Sequence, residues 1–158
     1  MIEMDSSDLI ESTVTSTRVR LARNLFSYPF PDKLDEKRAR EIIRVVGYEL
    51  NRLDTFTEYD IGKIEPDEAT FLLEKHLISP DLIRRKSISA AFITSDEEIS
   101  VMINEEDHLR EQYILRGCNL YKAYERISGI DDGIGRSVSF AYDEKLGYLT
   151  ACPSNLGT

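Results

Sequence analysis

Three short stretches of this sequence concentrate residues that do chemistry. The first is Ser16-Thr-Arg-Val-Arg20, with Arg23 close behind. On an extended strand Arg18 and Arg20 share a face. Two guanidinium forks side by side suit the oxygens of a polyphosphate, because each makes paired, charge-assisted hydrogen bonds. The same residues also suit a solvated basic edge with surface ion pairs. The second stretch is Asn104-Glu-Glu-Asp-His-Leu-Arg110, three acids in a row directly after an apolar run. Carboxylates at a strand end can orient or deprotonate a substrate nitrogen, with Arg110 as a further anion contact; a plain acidic turn fits the pattern equally. The third is Thr150-Ala-Cys-Pro-Ser-Asn-Leu-Gly-Thr158. A thiol there becomes a reactive thiolate if positive groups surround it, whereas an inert, buried Cys152 is the commoner use. His108 is a candidate partner for it in a Cys–His pair, a pairing that nothing in the spacing requires. His76, in Glu74-Lys-His-Leu-Ile-Ser-Pro80, stands where a histidine serves as a helix C-terminal cap or meets a nucleotide.

The elements that must carry these residues follow from periodicity. Thr15–Leu21 alternates and reads as a strand. Asp35–Leu53 reads as an amphipathic helix with Ala39, Ile42, Ile43, Val46, Leu50 and Leu53 on one stripe. A second helix begins at Pro66, runs to about Leu77 and stops before Pro80. Ser87–Thr94 and Glu98–Asn104 read as a β-hairpin. His108–Leu115 fits either a further strand or a helical turn. Asn119 to about Ile134 is a weaker helix, loosened by glycines, and Ser139–Tyr142 with Tyr148–Cys152 forms another hairpin. Strands joined by hairpins, with helices between them, give an α+β fold with a largely antiparallel sheet.

The 158 residues suffice for one domain with its own core. Residues 1–14 read as an acidic arm and 15–158 as the domain. With 29 acidic against 20 basic residues the net charge is −9, which argues against general nucleic-acid binding, since that depends on phosphate neutralisation. A local basic pocket remains compatible with it. No apolar run is long enough for a membrane span, and the acidic start is unlike a secretory signal. The only cysteines, Cys118 and Cys152, form no CxxC pair, so the reading is a cytoplasmic protein with reduced thiols and no structural zinc.

Taken together and in this order, the four motifs resemble the catalytic domain of the ATP:guanido phosphotransferases, the family of creatine and arginine kinases. The bacterial protein-arginine kinase branch is the nearest in kind, since only 15 residues precede Ser16 and the helical domain of creatine and arginine kinases has no room there. The resemblance implies that Ser16, Thr17, Arg18, Val19 and Arg20 hold the phosphates of ATP, with Mg²⁺ carried mainly on those phosphates. It makes His76 a nucleotide contact and Arg110 a phosphate contact. Glu106 becomes the carboxylate that orients the guanidinium and takes its proton, with Glu105 beside it, and Cys152 the reactive thiol near the substrate. Thr17 stands where a second serine is usual. The implied partners are proteins bearing arginine, including a heat-shock repressor, and Clp-type proteolysis. Family members continue past Gly157-Thr158 into further phosphate contacts and a second substrate carboxylate, so these 158 residues alone are expected to show little or no kinase activity. A kinase for a free guanidino compound and a non-catalytic binding module are the alternatives.

Overall fold

The computed structural model describes residues 13–157; the expected acidic arm lies almost wholly outside them. Five strands form one antiparallel sheet: β1 (Ser16–Arg23), β2 (Phe56–Asp60), β3 (Ala90–Thr94), β4 (Ile99–Ile103) and β5 (Leu109–Arg116), in the order β1-β5-β4-β3-β2. Among the described residues it is accompanied by helices α1 (Glu36–Leu53), α2 (Pro66–Glu74), α3 (Pro80–Arg84) and α4 (Leu120–Gly135). A two-stranded ribbon, β6 (Tyr142–Asp143) with β7 (Gly147–Tyr148), stands apart. The α+β, largely antiparallel architecture is the expected one.

Side-chain alternation gives the sheet two unlike faces. On one, Phe92, Val101, Ile103, Leu109 and Tyr113 pack under Ile42, Val46 and Leu50 of α1 and Ile127 and Ile134 of α4. On the other, Ala91, Ile93 and Met102 pack under Leu72 of α2, Leu77 and Ile78 of the α2–α3 connection, and Leu82 of α3. That second cover reaches only the β2–β3–β4 side. The β1–β5 side of the same face carries Arg18 and Arg20, paired across the strands with Ile114 and Gln112, and Arg110 opposite Ala22. This uncovered floor is where the polar motifs meet.

Local chemistry explains the element ends. Asp35 caps α1, its carboxylate accepting from the Arg38 N–H at 2.8 Å, and Asn119 caps α4 through the Lys122 N–H at 2.9 Å. The second helix stops at Glu74 rather than Leu77. His76 takes the left-handed conformation (φ 59°), and the N–H groups of His76 and Leu77 donate to the carbonyls of Leu73 and Leu72, both at 3.0 Å. These bonds close the helix as a Schellman motif, with Leu77 and Leu72 meeting in the core. Pro80 begins α3 instead of only ending what precedes it, because Ser79 supplies its cap. The undecided stretch from His108 is strand β5. The last hairpin is shorter than expected: beyond β7 only the Leu149 N–H to Ala141 carbonyl bond (2.9 Å) continues it. The strand β2 is an addition at the sheet edge, with one buried residue, Phe56.

Candidate functional site

The β4–β5 connection, residues 104–108, presents the acidic motif. Asn104 turns the chain at φ 61°, a conformation that asparagine tolerates better than most residues. Its N–H donates to the His108 carbonyl at 3.0 Å, and its amide donates to the carbonyls of Ala39 and Ile88 at 3.1 and 2.8 Å. The two glutamates that follow are thereby sent to different places. Glu105 is fully buried, receiving Arg110 Nη1 at 2.6 Å on Oε2 and the Ser79 hydroxyl on Oε1. The Glu106 side chain stays 41% exposed, 4.0 Å from Arg110, and accepts from Asn155 Nδ2 at 2.8 Å. Glu106 is therefore the carboxylate open to an incoming group, and Glu105 is the one that holds Arg110.

Asp107 and His108 face inward. Asp107 Oδ1 accepts from Asn24 Nδ2 and from the Ala151 N–H, both at 2.6 Å, which ties the acidic turn to the loop carrying Cys152. His108 Nδ1 accepts from the Leu25 N–H at 2.9 Å, so its Nε2 carries the proton and donates to the Pro29 carbonyl at 3.0 Å. Burial pushes its pKa down to about 4. Both ring nitrogens are occupied by the backbone, so His108 is a strut of the turn and not a partner of Cys152. Cys152 is half-buried as a residue, and its Sγ lies 2.9 Å from the Ser154 hydroxyl. Asn155 joins this loop to the acidic turn from both sides: its N–H donates to the Cys152 carbonyl at 3.0 Å and its side chain reaches Glu106.

Arg20 and Arg110 line a cavity of about 220 Å³ together with Leu21, Ala22, Ser154 and Asn155. Burial, then repulsion from Arg110 and Arg18, lowers the pKa of Arg20. Such mutual repulsion between cations marks a place that gains from an anion. Ser16 opens β1 on the same face as Arg18 and Arg20. Thr17 and Val19 point the other way. The Thr17 hydroxyl donates to the Gly117 carbonyl at 2.6 Å and accepts from the Asn119 N–H at 3.1 Å, while Val19 packs on the core. The Thr17 side chain serves the β5–α4 junction and that of Val19 the core, so neither lines the floor. His76 is exposed, and its carbonyl accepts from Gln112 Nε2 at 2.6 Å, next to Arg20 in the sheet. Among the described residues no group of three or more His, Cys, Asp or Glu side chains is arranged to hold a metal ion.

Sequence reasoning singled out Glu105, Glu106, Arg110 and Cys152, but not Asn24, Ser79, Asp107, Gln112 or Asn155 as individual contributors. Ser79, Asp107 and Asn155 lie inside the quoted motifs, and the polar residues there were the available signal. Asn24 meets Asp107 across 83 residues of sequence, for which no local pattern exists.

The family model of the ATP:guanido phosphotransferase C-terminal catalytic domain matches residues 38–158. A protein-arginine kinase of Clostridium acetobutylicum is 46% identical over 158 residues, covering 97% of this chain and 46% of that protein. One from Caldanaerobacter subterraneus is 42% identical, covering 94% of this chain and 45% of its own length. The chain thus spans about half the length of the curated relatives it matches. Among solved structures, the substrate-free duplicated taurocyamine kinase of Schistosoma mansoni superposes with a TM-score of 0.85 at 27% identity, over 99% of this chain and 24% of that one. Lombricine kinase gives 0.80 at 26% identity, over 94% and 46%.

Proposed function

This chain belongs to the ATP:guanido phosphotransferase family, and from that premise we propose that it forms the phosphate-binding part of a kinase that phosphorylates arginine residues in proteins. The observation that carries the proposal is the gathering of Arg18, Arg20 and Arg110 on one open floor, bordered by the exposed carboxylate of Glu106. The relatives at 42–46% identity are protein-arginine kinases, which favours arginine in proteins over a free guanidino compound.

In this reading Arg18, Arg20 and Arg110 receive the phosphate oxygens, and His76, at the floor's edge, meets the nucleoside. Thr17 and Val19 contribute through the strand that positions their neighbours. Mg²⁺ fits as an ion carried on the phosphates, since the floor's carboxylate at hand is Glu106, and it would add neutralisation of charge there. The substrate guanidinium, a cation with a pKa above about 12, is a poor nucleophile until one nitrogen is aimed and relieved of a proton. Glu106, held by Asn155, aims it and accepts that proton. The new N–P bond forms as the bond from the γ-phosphorus to the bridging oxygen breaks, and ADP leaves with the electron pair. Cys152, with the Ser154 hydroxyl beside its sulfur, balances the guanidinium charge when it is a thiolate. Most of the acceleration is then positioning and electrostatics.

The same reading places the protein in the cytoplasm, acting on protein substrates such as a heat-shock repressor ahead of Clp-type proteolysis. No helix among the described residues is long and apolar enough to cross a membrane. The test uses the longest polypeptide that contains this chain, incubated with MgATP, a denatured arginine-rich protein and free arginine. Phosphorus NMR should show phosphoarginine on the protein, absent with Glu106→Ala. Signal confined to the free amino acid would overturn the substrate assignment.

A further inference from the structure

The segment joining α2 to α3 is hydrogen-bonded at three points to β5, β4 and the acidic turn. The His76 carbonyl accepts from Gln112, the Leu77 carbonyl from the Ser100 hydroxyl, and the Ser79 hydroxyl donates to Glu105. Gln112 is the direct cross-strand neighbour of Arg20, and Glu105 is the carboxylate that holds Arg110. One short strand of chain therefore touches the supports of two floor arginines.

The Ser79 contact is the more constrained. Glu105 has no exposed surface, and a buried carboxylate requires partners on its oxygens. It has one on each side, Arg110 on Oε2 and Ser79 on Oε1. Ser79 is equally committed. Its hydroxyl accepts from the Leu82 N–H at 3.1 Å to cap α3 and spends its single proton on Glu105. The terminal torsion of a glutamate is soft, so Arg110 alone does not fix the plane of the carboxylate; the second partner does. The alternative for Arg110 is close by, since Nη1 is already 4.0 Å from Glu106.

We infer that Ser79 is a positioning residue: acting through Glu105, it fixes the Arg110 guanidinium beside Arg20 and keeps it off Glu106. The inference rests on reading the floor as a polyphosphate site. Without the Ser79 proton, Glu105 turns, Arg110 relaxes toward Glu106, and the anion contact and the free carboxylate are disturbed together. The helix cap and the positioning role separate by substitution. Ser79→Thr keeps both. Ser79→Asp keeps the cap but has no proton to give, and Ser79→Ala loses both.

The 158-residue chain is examined first without ligand, by NMR of the arginine side-chain nitrogens. The wild type and Ser79→Thr should show hindered rotation of the Arg110 Nη groups, and Ser79→Ala and Ser79→Asp should release it. Titration with MgADP follows. Ser79→Ala should weaken binding about threefold to tenfold, the worth of one hydrogen bond. Ser79→Thr should restore it, and Ser79→Ala should add nothing in an Arg110→Ala background. Unchanged Arg110 signals in both Ser79→Ala and Ser79→Asp would overturn the inference, as would an undiminished Ser79→Ala effect without Arg110. If the wild type binds no MgADP, the polyphosphate reading fails, and the ligand-free Arg110 signals still decide the link to Ser79.

Discussion

Acid should loosen the turn that presents Glu106 before it unfolds the rest of the site, and His108 is the group responsible. Its ring is fully buried between the backbones of Leu25 and Pro29, accepting from one and donating to the other. Protonation destroys the Nδ1 acceptor and places a cation where the Leu25 N–H points. Burial accordingly holds its pKa at about 4, against 6.5 when free. The unfolded chain takes up this proton first as pH falls, so the stabilisation is complete above about pH 6.5 and is lost as pH drops toward 4. From those two values the loss is about 2 kcal/mol between pH 7 and pH 5, and about 3 kcal/mol by pH 4. Denaturant unfolding of the wild type and of His108→Gln, compared at each pH, isolates the histidine from the carboxylates that titrate below pH 5. The wild type should lose stability relative to the variant by these amounts, and the His108 ring signals should stay those of the neutral form at pH 5.5. A His108 titration midpoint near 6.5 in the folded protein would refute the reasoning.

Four further predictions concern packing and support. Arg23 bonds Asp131 through two nitrogens, the shorter contact 2.7 Å, with only 4% of its side chain exposed, and it stacks 3.6 Å from the Tyr148 ring centroid. Arg23→Ala should cost about 3–5 kcal/mol in denaturant unfolding, because it strands a buried carboxylate. Glu111, fully buried beside that pair, has its pKa raised by burial and then by Asp131. Its neutral form favours folding at low pH and is a growing burden as pH rises, so Glu111→Gln should gain on the wild type by up to about 1.4 kcal/mol per pH unit above pH 5. Gly47 lies against the Phe92 ring with no room for a methyl group, so Gly47→Ala should lower stability by about 1–3 kcal/mol, visible as a lower Tm. Thr17→Val should cost about 1 kcal/mol in denaturant unfolding by removing the hydroxyl that bonds the Gly117 carbonyl and the Asn119 N–H, and leave MgADP affinity unchanged in a binding titration.

Much of the frame was legible because its signals are local. The apolar stripe of residues 39–53 marks α1, and the turn at residues 95–98 separates the two buried strands β3 and β4. The fold family was legible from the motifs, which the match over residues 38–158 bears out. What escaped depends on distance or on fine geometry. The edge strand β2 buries one side chain and so leaves little pattern. The early end of α2 relies on a left-handed histidine where glycine is the usual sign. Glu105 and Glu106 are the same residue type in sequence, yet the turn at Asn104 buries one and exposes the other. The proton of Ser79 and the pairing of Asn24 with Asp107 emerge only when the α2–α3 segment and β1 are brought against the acidic turn.

The central claim is that the floor of β1 and β5 binds the phosphates of a nucleotide. Calorimetric titration of the chain with MgADP, repeated with Arg20→Ala and Arg110→Ala and at two salt concentrations, tests it most directly. Saturable binding that weakens at least tenfold in each variant and falls with added salt is the predicted result. Binding indifferent to both arginines, or none at all in the wild type, would contradict the account.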